Sequence, residues 1–581
     1  MFTKAIPETE IFDILKISFD GLEESQKILF LDVACFSDQW IDFKKIYSAD
    51  IIEVLIDKSL VSKDDVYFKE RLTMHDLLKE MGRQIVRSEC PQEPGRRSRL
   101  FHHEDVFHVL KNNTGTDAIE GIVMDLDLPL GGILGANHSD IINANAFSNM
   151  RNWRLLYFCD FGYIKWSGNP LEYMPSDKLQ FLRWSKYPSK SWPSSFQPKN
   201  LIVLEMPNSH IKQLWTGSMV LPNLKELNLR HCKNLIEMPN LTKAPKLEKI
   251  DFSECKKLSE VHPSIKVLKQ LQELRMSCTR IKQLWTELMI LPNLKELDLN
   301  YCENLIEISD LSGVPNLEKI DFSYCRSLCK VHPSIEVLKR LQKLKMRGTR
   351  IKQLWKEWVV LPNLKKLDLM YCENLIEMPD LSGAPNLEKI EFSYCESLCK
   401  FHSSIKGLKR LQKLGMSGTQ IKQLWNELVI SFSLYKYVFD NLKELDLSCC
   451  ENLIKIPNLS GAANLEKINF SLCESLCKFH SSIKKLKRLQ ELRMSNTRIK
   501  QLWKEWVVLP NLKKLDLSYC ENLIETRYLC GAPNLEIINF SNCRNLCKVH
   551  SSIKKLKRLQ ELRMSGTRIK KLWKGSMFVI S

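Results

Sequence analysis

The residues with the greatest potential for chemistry in this sequence are its cysteines and histidines. The 581-residue chain holds 20 cysteines and 12 histidines. Cys325, Cys329 and His332 form the pattern C-x3-C-x2-H, and thiolates and imidazoles are ligands that zinc prefers. In an earlier copy of this segment Ser259 stands in place of the second cysteine, so the set is not kept within the chain. The pattern therefore favours packing over a metal site, and we expect no bound metal.

Arrangements typical of enzymes do not stand out. Neither Ser/His/Asp, Cys/His nor paired-carboxylate sets rise above the background of these residue types. The sequence also lacks a G-x-x-x-x-G-K-[ST] loop, whose backbone amides would cradle phosphates. We therefore expect that the chain is not an enzyme and that it binds neither ADP nor ATP on its own.

The charge of the chain is unevenly distributed. The formal net charge is +18, of which residues 1–110 contribute −6 and the remainder +24. An acidic region does not suit contact with nucleic-acid phosphates, so we expect no nucleic-acid partner. No apolar segment follows Met1, and no run approaches the ~18 apolar residues that span a bilayer. Secretion and membrane insertion are therefore not expected, and the cysteines should be reduced thiols.

A fixed repeat dominates the sequence after residue 200. The pentapeptide IKQLW begins at residues 211, 281, 351, 421 and 499, and the variant IKKLW begins at residue 569. Residues 431–438 account for the one longer interval. Within each block the pattern L-x-x-L-x-L-x-x-(C/T) recurs three times, for example from Leu294, Leu317 and Leu341. This is the leucine-rich-repeat signature, in which stacked repeats bury leucines that one repeat leaves exposed.

Each repeat is expected to contribute one short strand and one small side chain to the core. Leu297 and Leu299 should turn inward from the strand. The residue eight positions after the first leucine reads Cys, Cys, Thr in rotation, and it should form a buried, inert ladder bonded to backbone groups. The tryptophan of the pentapeptide should pack in the core rather than stack on bases. Its copies are Trp215, Trp285, Trp355, Trp425, Trp503 and Trp573.

The first hundred residues have the pattern of a small helical domain. Residues 11–36 form two apolar helical stretches, and residues 51–72 form a third helix followed by a short hairpin. In the helix that follows, Leu77, Met81 and Ile85 fall on one face, which predicts that this face is apolar and packed. This order of elements predicts a winged-helix unit.

Five long segments carry a family resemblance. They read LKISFDGLEESQKILFLDVACF, IIEVLIDKSLV, RLTMHDLLKEMGRQIVRSECPQEPGRRSRLF, NNTGTDAIEGIVMDL and LQFLRWSKYPSKSWPSSFQPKNLIVLEMPNSHIKQLW. In this order they resemble plant intracellular nucleotide-binding leucine-rich-repeat disease resistance proteins of the Toll/interleukin-1-receptor class. The resemblance implies a cytoplasmic innate-immunity receptor, with the nucleus as the alternative location. It also implies two partners for the repeats, which are a protein ligand or effector and the receptor's own nucleotide-binding domain.

The resemblance also implies a role for one tripeptide. Met74, His75 and Asp76 match the family's MHD motif, whose histidine contacts a phosphate of bound ADP and helps to hold the receptor off. The residues equally allow His75 to begin a helix, with Asp76 as a favourable first-turn charge. The family's Toll-like domain and nucleotide-binding core, which use ADP and ATP, are missing from the sequence. We therefore expect a truncated receptor with an incomplete nucleotide site, or else a protein-binding adaptor without a switch.

The predicted architecture is an α/β protein with two folded regions. A small α-helical winged-helix domain, similar to the family's ARC2 subdomain, is expected over residues 1–105. A connector spans residues 106–150. A leucine-rich-repeat solenoid of about 18 repeats, shaped as a horseshoe, follows over residues 151–575.

Exposed positions of the predicted strands are the candidate protein-binding sites. Lys343, Lys345 and Arg347 lie on one rung, and a basic rung recurs at every third repeat, which predicts basic stripes every ~14 Å. The stripes either bind an acidic partner or form a solvated face with cross-strand ion pairs, and the sequence leaves both open. Differences between copies at exposed positions add Arg230, His231, Glu254, Asn300, Tyr301, Tyr324, Tyr371 and Tyr394.

Overall fold

The fold is taken from a computed structural model of the chain. The structure describes residues 8–39, 41–66, 69–125, 141–159, 164–285, 287–355, 358–422, 439–502, 506–526 and 529–569. The chain divides into two compact units, Met1–Arg280 and Ile281–Ser581. We call them the N-terminal unit and the C-terminal unit and describe each by itself.

The N-terminal unit begins with a helical domain that carries an antiparallel hairpin. The hairpin strands pair from Ser62 with Thr73 to Val66 with Lys69, which makes the wing of a winged helix. The predicted order of helices and hairpin is thereby confirmed. The helices are α1 (Glu8–Asp20), α2 (Glu24–Phe36), α3 (Phe43–Ile46), α4 (Ala49–Asp57), α5 (Asp76–Glu89) and α6 (His103–Asn112), and the hairpin strands are β1 (Ser62–Val66) and β2 (Lys69–Thr73).

Helices α2 and α5 pack closely because of one glycine. A Cβ atom at Gly82 would lie 2.4 Å from the Cβ of Ala34 and 3.3 Å from the ring of Phe30. The missing side chain therefore lets the two helices approach more closely than an alanine would allow. At its start, α2 is held by a capping box between Glu23 and Gln26.

The prediction for the buried face of α5 was wrong at Leu77. Its side chain is 54% exposed, whereas Leu78, Met81 and Val86 are buried. The helix begins at Asp76; Met81 is buried as predicted, Ile85 is half-buried, and Leu78 and Val86 are buried in place of Leu77. Residues 77 and 78 are both leucine, so periodicity alone does not distinguish the two faces.

The leucine-rich repeats contribute short strands to a parallel sheet in each unit. In the N-terminal unit the strands are β3 (Arg99–Leu100), β4 (Gly121–Asp125), β6 (Leu155–Cys159), β8 (Phe181–Ser185), β9 (Val203–Glu205), β10 (Glu226–Asn228), β11 (Lys249–Asp251) and β12 (Glu273–Arg275), and the separate pair β5 (Ile141–Asn143) and β7 (Lys165–Ser167) is also parallel.

In the C-terminal unit the main sheet is again parallel, and it contains every strand named here except β23 and β25, which pair with each other. The strands are β13 (Glu296–Asp298), β14 (Lys319–Asp321), β15 (Lys343–Lys345), β16 (Lys366–Asp368), β17 (Lys389–Glu391), β18 (Lys413–Gly415), β19 (Glu444–Asp446), β20 (Lys467–Asn469), β21 (Glu491–Arg493), β22 (Lys514–Asp516), β23 (Glu525–Thr526), β24 (Ile537–Asn539), β25 (Lys548–Val549) and β26 (Glu561–Arg563). These strands confirm the predicted leucine-rich-repeat fold. The insertion at residues 431–438 lies outside the described residues.

The parallel sheet begins earlier in the chain than residue 151. Strand β3 pairs with β4, and β4 pairs with β6. Two strands of the sheet therefore come from residues assigned to the winged-helix domain and the connector. The boundaries at residues 105 and 150 stay predictions, and the strand pairing places the start of the ladder at Arg99.

The winged-helix domain shares a hydrophobic core with the first turns. Alternate strand residues Val123, Tyr157, Phe181 and Val203 belong to the same buried cluster as the core of α2 and α5. Their strand neighbours, such as Leu156, point to the opposite side of the sheet and are fully buried within the turns. The inner face of these turns is therefore covered by the winged-helix domain.

The repeat cores of the C-terminal unit follow the predicted rung. Leu294, Leu297 and Leu299 are fully buried, and so are Leu305 and Ile308 apart from a trace. Strand β13 is three residues long, and only its middle residue is buried. It thus turns its central side chain inward and leaves the two beside it on the accessible inner face, whereas β16, β17 and β18 also bury their third residue.

Buried thiols form the predicted ladder between turns. The Sγ of Cys325 donates to the carbonyl of Leu299, 3.1 Å away, and Cys372 donates to Met346 at the same distance. Threonine in the third turn instead donates to its own turn, as Thr349 does to Met346 at 3.0 Å. These hydrogen bonds confirm that the Cys and Thr side chains form a buried ladder bonded to backbone carbonyls. The other thiols with this bond are Cys232, Cys255, Cys395, Cys450, Cys473, Cys520 and Cys543.

Candidate functional site

The MHD tripeptide lies at the junction of the hairpin and α5. His75 is the N-cap of this helix, and its Nδ1 accepts a hydrogen bond from the backbone N–H of Leu77 at 3.2 Å. Met74 is buried in the domain core, whereas His75 and Asp76 are exposed. The helix-start interpretation of His75 is thus confirmed. The contact of its imidazole with a nucleotide stays a prediction.

The three residues of the suspected metal pattern have separate bonding roles. Cys325 is buried in the ladder, whereas the exposed Cys329 thiol lies 3.7 Å from the carbonyl of Ile306. His332 caps a 3-10 helix, because its Nδ1 accepts from the backbone N–H of Ser334 at 3.2 Å. Within the described ranges, no group of three or more His, Cys, Asp and Glu side chains is placed to hold a metal ion.

The pentapeptide tryptophans that the structure describes are packed into the turns. Trp215, Trp285 and Trp355 are buried, and each indole N–H donates to a backbone carbonyl in the next turn, at 3.2, 2.9 and 3.0 Å. These three confirm the packing prediction. Trp425, Trp503 and Trp573 lie outside the described residues.

The predicted basic rung is neutralised at two of its three positions. Lys345 lies 3.1 Å from Asp321, and Arg347 lies 2.6 Å from Asp368. The hydrogen bond from Arg347 to Asp368 raises the pKa of the guanidinium. The carboxylates come from the rungs before and after, so the rung is not an isolated positive stripe.

Instead, positively charged side chains are aligned from strand to strand across the sheet. In-register parallel pairing places Lys343 opposite Lys319 on one side and Lys366 on the other. The same position holds lysine in two further strands, because each repeat presents the same register to the next. We call this set the lysine column, and its members are Lys319, Lys343, Lys366, Lys389 and Lys413.

Only part of the lysine column has carboxylate partners. Lys319 lies 3.4 Å from Glu296. Lys389 and Lys413 each lie 3.5 Å from Glu391, and Lys413 also lies 3.4 Å from Glu444. In the described part of the chain, the two lysines at the centre of the column, Lys343 and Lys366, have no such ion pair.

The predicted variable positions lie after the strands rather than in them. Tyr301, Tyr324, Tyr371 and Tyr394 adopt positive φ of 57° to 61°, the left-handed conformation of a tight turn. His231 and Glu254 have the same conformation in the N-terminal unit. Arg230 and Asn300 precede such residues and begin these turns. The strands are too short to include them, so the candidates line the edge of the sheet.

His231 also lines the larger of the described cavities. This cavity lies in the N-terminal unit and has a volume of about 630 Å³. Asn208 and His231, which occupy the positive-φ turn position in successive repeats, form part of its wall. The remaining lining residues are Ile164, Trp166, Trp184, Lys186, Pro188, Ser209, His210, Lys233 and Asn234.

A buried ionic network joins the winged-helix domain to the first turns, and sequence reasoning did not predict it. Asp32 of α2 is 1% exposed and lies 2.7 Å from Arg99 Nε and 3.3 Å from Arg154. Tyr47 donates its hydroxyl to the same carboxylate. Burial and the Asp32 charge both raise the pKa of Tyr47. The only sequence signal is an aspartate within the apolar run of residues 28–36.

Comparison with known proteins gives the relationships of this chain. Residues 23–90 match the family described as Disease resistance protein Roq1-like, winged-helix domain. Disease resistance protein RPP2A of Arabidopsis thaliana is 35% identical over 41% of this chain and 18% of its own length. Disease resistance protein RPP5 of the same plant is 28% identical over 96% of this chain and 38% of its own length. The chain is thus related to plant disease resistance proteins and spans less than half the length of these relatives.

The solved structures that align with this chain are less similar to it in sequence than these relatives. A leucine-rich-repeat protein of Leptospira interrogans aligns with 67% of this chain and 91% of its own, at 21% identity and a TM-score of 0.43. The plant peptide hormone receptor RGFR1, solved in complex with RGF2, aligns with 78% of this chain and 82% of its own, at 16% identity and a TM-score of 0.37. Within the described residues, no helix has the length and apolar character to cross a membrane.

Proposed function

We propose that this chain acts in plant defence as the recognition part of a disease resistance receptor, and that the inner face of its C-terminal unit binds an acidic segment of a protein ligand. The relatives named above support the defence role. The observation that carries the binding proposal is the lysine column with its unpaired centre.

Electrostatics favours an acidic ligand at this column. Adjacent strands lie ~4.8 Å apart, so neighbouring ammonium groups repel one another by on the order of 1 kcal/mol in water. Lys343 and Lys366 are neighbours without a carboxylate partner among the described residues. A ligand carboxylate placed between them relieves this repulsion and adds a charge-assisted hydrogen bond.

The same column contains its own control. Lys389 and Lys413 occupy the same strand position but share the carboxylate of Glu391. With fluorescence polarisation, the purified chain is expected to bind a labelled oligoglutamate peptide, and Lys343→Glu with Lys366→Glu should weaken this binding about tenfold or more. Lys389→Glu with Lys413→Glu should have a smaller effect. Equal affinity of the wild type and the Lys343/Lys366 variant would contradict the proposal.

The proposal extends to a nucleotide switch in the full-length receptor. Because Nδ1 of His75 accepts the N–H of Leu77, the neutral imidazole carries its proton on Nε2 and presents an exposed donor. By the family resemblance described above, that N–H would donate to a phosphate of ADP bound in the nucleotide-binding core. The covered inner face of the first turns supports mechanical coupling, because the winged-helix domain cannot move without carrying these turns.

Cell-death assays in leaves test the switch. In a receptor that carries a nucleotide-binding core ahead of this chain, His75→Ala is expected to signal without a ligand, because the ADP-held off state loses a contact. Lys79→Ala in the same helix, which removes only an ion pair to Asp38, is the control and should stay silent. A silent His75→Ala receptor would favour the adaptor alternative, in which His75 only caps α5.

A further inference from the structure

The turn edge of the C-terminal unit carries two stacked pairs of tyrosines, of which Tyr301, Tyr371 and Tyr394 are exposed and Tyr324 is half-buried. Tyr301 and Tyr324 stack with ring centroids 4.7 Å apart and an interplanar angle of 19°. Tyr371 and Tyr394 stack at 5.0 Å with an angle of 5°. We call them the first pair and the second pair. Each pair joins adjacent turns, and because its two rings lie face to face, each ring keeps one face that its partner does not cover.

A glycine in the third turn supports each pair. Gly348 and Gly418 take the same turn position with φ of 62° and 66°. A Cβ atom at either position would lie 2.9 Å from the ring of the preceding tyrosine, Tyr324 or Tyr394. The rings therefore rest against bare backbone. Both pairs have this support, so they are similar in shape, and the main difference between them is the charge of the residues beside them.

Two arginines of this chain stand beside the first pair in sequence. Arg326 follows Tyr324 by two residues, and its Nε lies 4.0 Å from the Glu303 carboxylate. Arg347 precedes the supporting glycine, Gly348, and pairs with Asp368. The acidic and basic groups near this pair thus compensate one another.

The second pair lacks these cations. The position of Arg326 is taken by Glu396, and that of Arg347 by Ser417. Glu373 stands where Glu303 stands in the first pair, and its backbone N–H donates to the Tyr371 carbonyl at 3.0 Å. Both glutamates are exposed, and neither carboxylate forms an ion pair with another described residue. Arg350 stands at the equivalent turn position one turn earlier, and among the described residues no ion pair joins it to Glu373.

We propose that the second pair, with Glu373 and Glu396, binds an arginine side chain from a basic segment of a protein partner. Tyrosine faces attract cations, and a planar guanidinium stacks on an aromatic ring while its N–H groups bond to carboxylates. The first pair places the chain's own arginines at the matching positions, which indicates the ligand group that the second pair lacks. This surface and its ligand charge are distinct from those of the lysine column, so the inference does not depend on that function.

Another block of the chain has the two acidic residues without the two tyrosines. The block that begins at residue 421 keeps two acids, Glu451 and Glu474, but has Cys449 and Leu472 in place of the tyrosines. Leu472 holds φ of 62°, so leucine is accepted at this turn position. Tyrosine-to-leucine substitutions are therefore suitable test variants, because this chain already uses leucine in that conformation.

Fluorescence polarisation with the purified full chain tests the inference. The probe is a labelled Gly/Ser peptide that carries four arginines, and matched peptides carry glutamate or no charge. We expect the arginine peptide to bind best, and the double variant Tyr371→Leu with Tyr394→Leu to weaken it at least fivefold. Glu373→Gln with Glu396→Gln should weaken it comparably. The matched variant Tyr301→Leu with Tyr324→Leu should change it less than twofold, and so should Lys343→Glu with Lys366→Glu.

Specific outcomes would overturn the inference. Equal losses at the first and second pairs would mean that the surrounding charges do not select the site. Stronger binding of a single-stranded oligonucleotide than of the arginine peptide, lost in the Tyr371/Tyr394 variant, would make the pair a base-stacking surface instead. Unchanged affinity in both the tyrosine and the glutamate variants would place basic-peptide binding elsewhere. Thermal melting of each variant shows whether folding is retained.

Discussion

The inner faces of the two units differ although their strands have the same register. In the N-terminal unit all five residues of β6 are buried, because one side of the strand packs in the turns and the other against the winged-helix domain. In the C-terminal unit β15 buries only Leu344 and leaves lysines on the inner face. A strand that is apolar on both sides is covered by another part of the protein, whereas an alternating strand leaves a charged surface for solvent or a ligand.

This difference assigns separate tasks to the repeats. The first turns serve as a base for the winged-helix domain, and Asp32 fixes the contact through Arg99 and Arg154. The turns of the C-terminal unit keep the lysine column and the tyrosine pairs accessible. Substitutions in the base should therefore affect stability, and substitutions on the open face should affect binding.

The largest effect is expected from Asp32→Ala. Removal of this carboxylate leaves Arg99, which is 2% exposed, buried without its main partner. Breaking a buried pair in this way destabilises a protein by about 3–5 kcal/mol. Urea unfolding measures the change, with Asp38→Ala as control because Asp38 is half exposed and should cost about 1 kcal/mol or less. A similar decrease in the unfolding free energy of both variants would contradict a special contribution of the buried network to stability.

A smaller loss is expected from Gly82→Ala. The new Cβ would lie 2.4 Å from Ala34 Cβ, so α5 must shift away from α2 at a cost of about 1–3 kcal/mol. Gly217→Ala is a useful contrast, because it adds strain from a φ of 72° without any steric contact within 4 Å. If Gly82→Ala left the unfolding midpoint unchanged, the close helix contact would be refuted.

The thiols are expected to separate into two reactivity classes. Burial raises the pKa of Cys232 and of Cys543 to about 12, so these thiols stay protonated in the folded chain at pH 8. Iodoacetamide and mass spectrometry should find them unmodified, whereas the exposed Cys329, Cys399 and Cys547 should react. Fast modification of the ladder thiols in folded protein would contradict their burial.

The same thiols predict a fall in stability at alkaline pH. Their pKa is raised by folding, so their contribution is fully present below the unfolded pKa of about 8.5 and is lost as the pH rises towards 12. The unfolded chain releases the protons first and is favoured by alkali. Unfolding free energies measured at pH 8 and pH 10 should therefore differ, with the Cys232→Ala variant less sensitive. An equal pH dependence in that variant would exclude a role for this thiol.

The smallest effect on stability is expected on the open face. Lys343 is half-buried and Lys366 is exposed, and glutamate at either position removes repulsion between neighbouring strands, so the unfolding free energy should change by no more than about 0.5 kcal/mol. The measurement is urea unfolding of each single variant. A loss comparable with that of Asp32→Ala would mean that these lysines have a structural role.

Local patterns made the repeats predictable, whereas long-range contacts limited the rest. The leucines and ladder cysteines recur at fixed intervals, so their burial follows from sequence alone. The partners of Lys345 and Arg347 come from neighbouring strands, and only the pairing register brings them together. Contacts between Asp32 and Arg154 join residues 122 positions apart, for which the sequence offers no periodic signal.

The predicted site residues show the same limit. Variation between copies predicts Tyr301 and Tyr324 as exposed, which holds for Tyr301, whereas Tyr324 is half-buried; their left-handed backbone and ring stacking depend on turns that the repeat pattern does not specify. His75 was placed correctly at the start of a helix, because a helix start has a local signature. Its nucleotide contact depends on domains outside this chain and stays a prediction.

Labelling of engineered cysteines tests the contrast between the two inner faces most directly. Val203→Cys lies in the shared core under the winged-helix domain, and Lys366→Cys occupies the open column. Maleimide labelling of the folded chain is expected to modify the cysteine at 366 at least tenfold faster than the one at 203, with both reacting alike after unfolding. Equal labelling rates in the folded chain would contradict the account, because the first turns would then be as open as the rest.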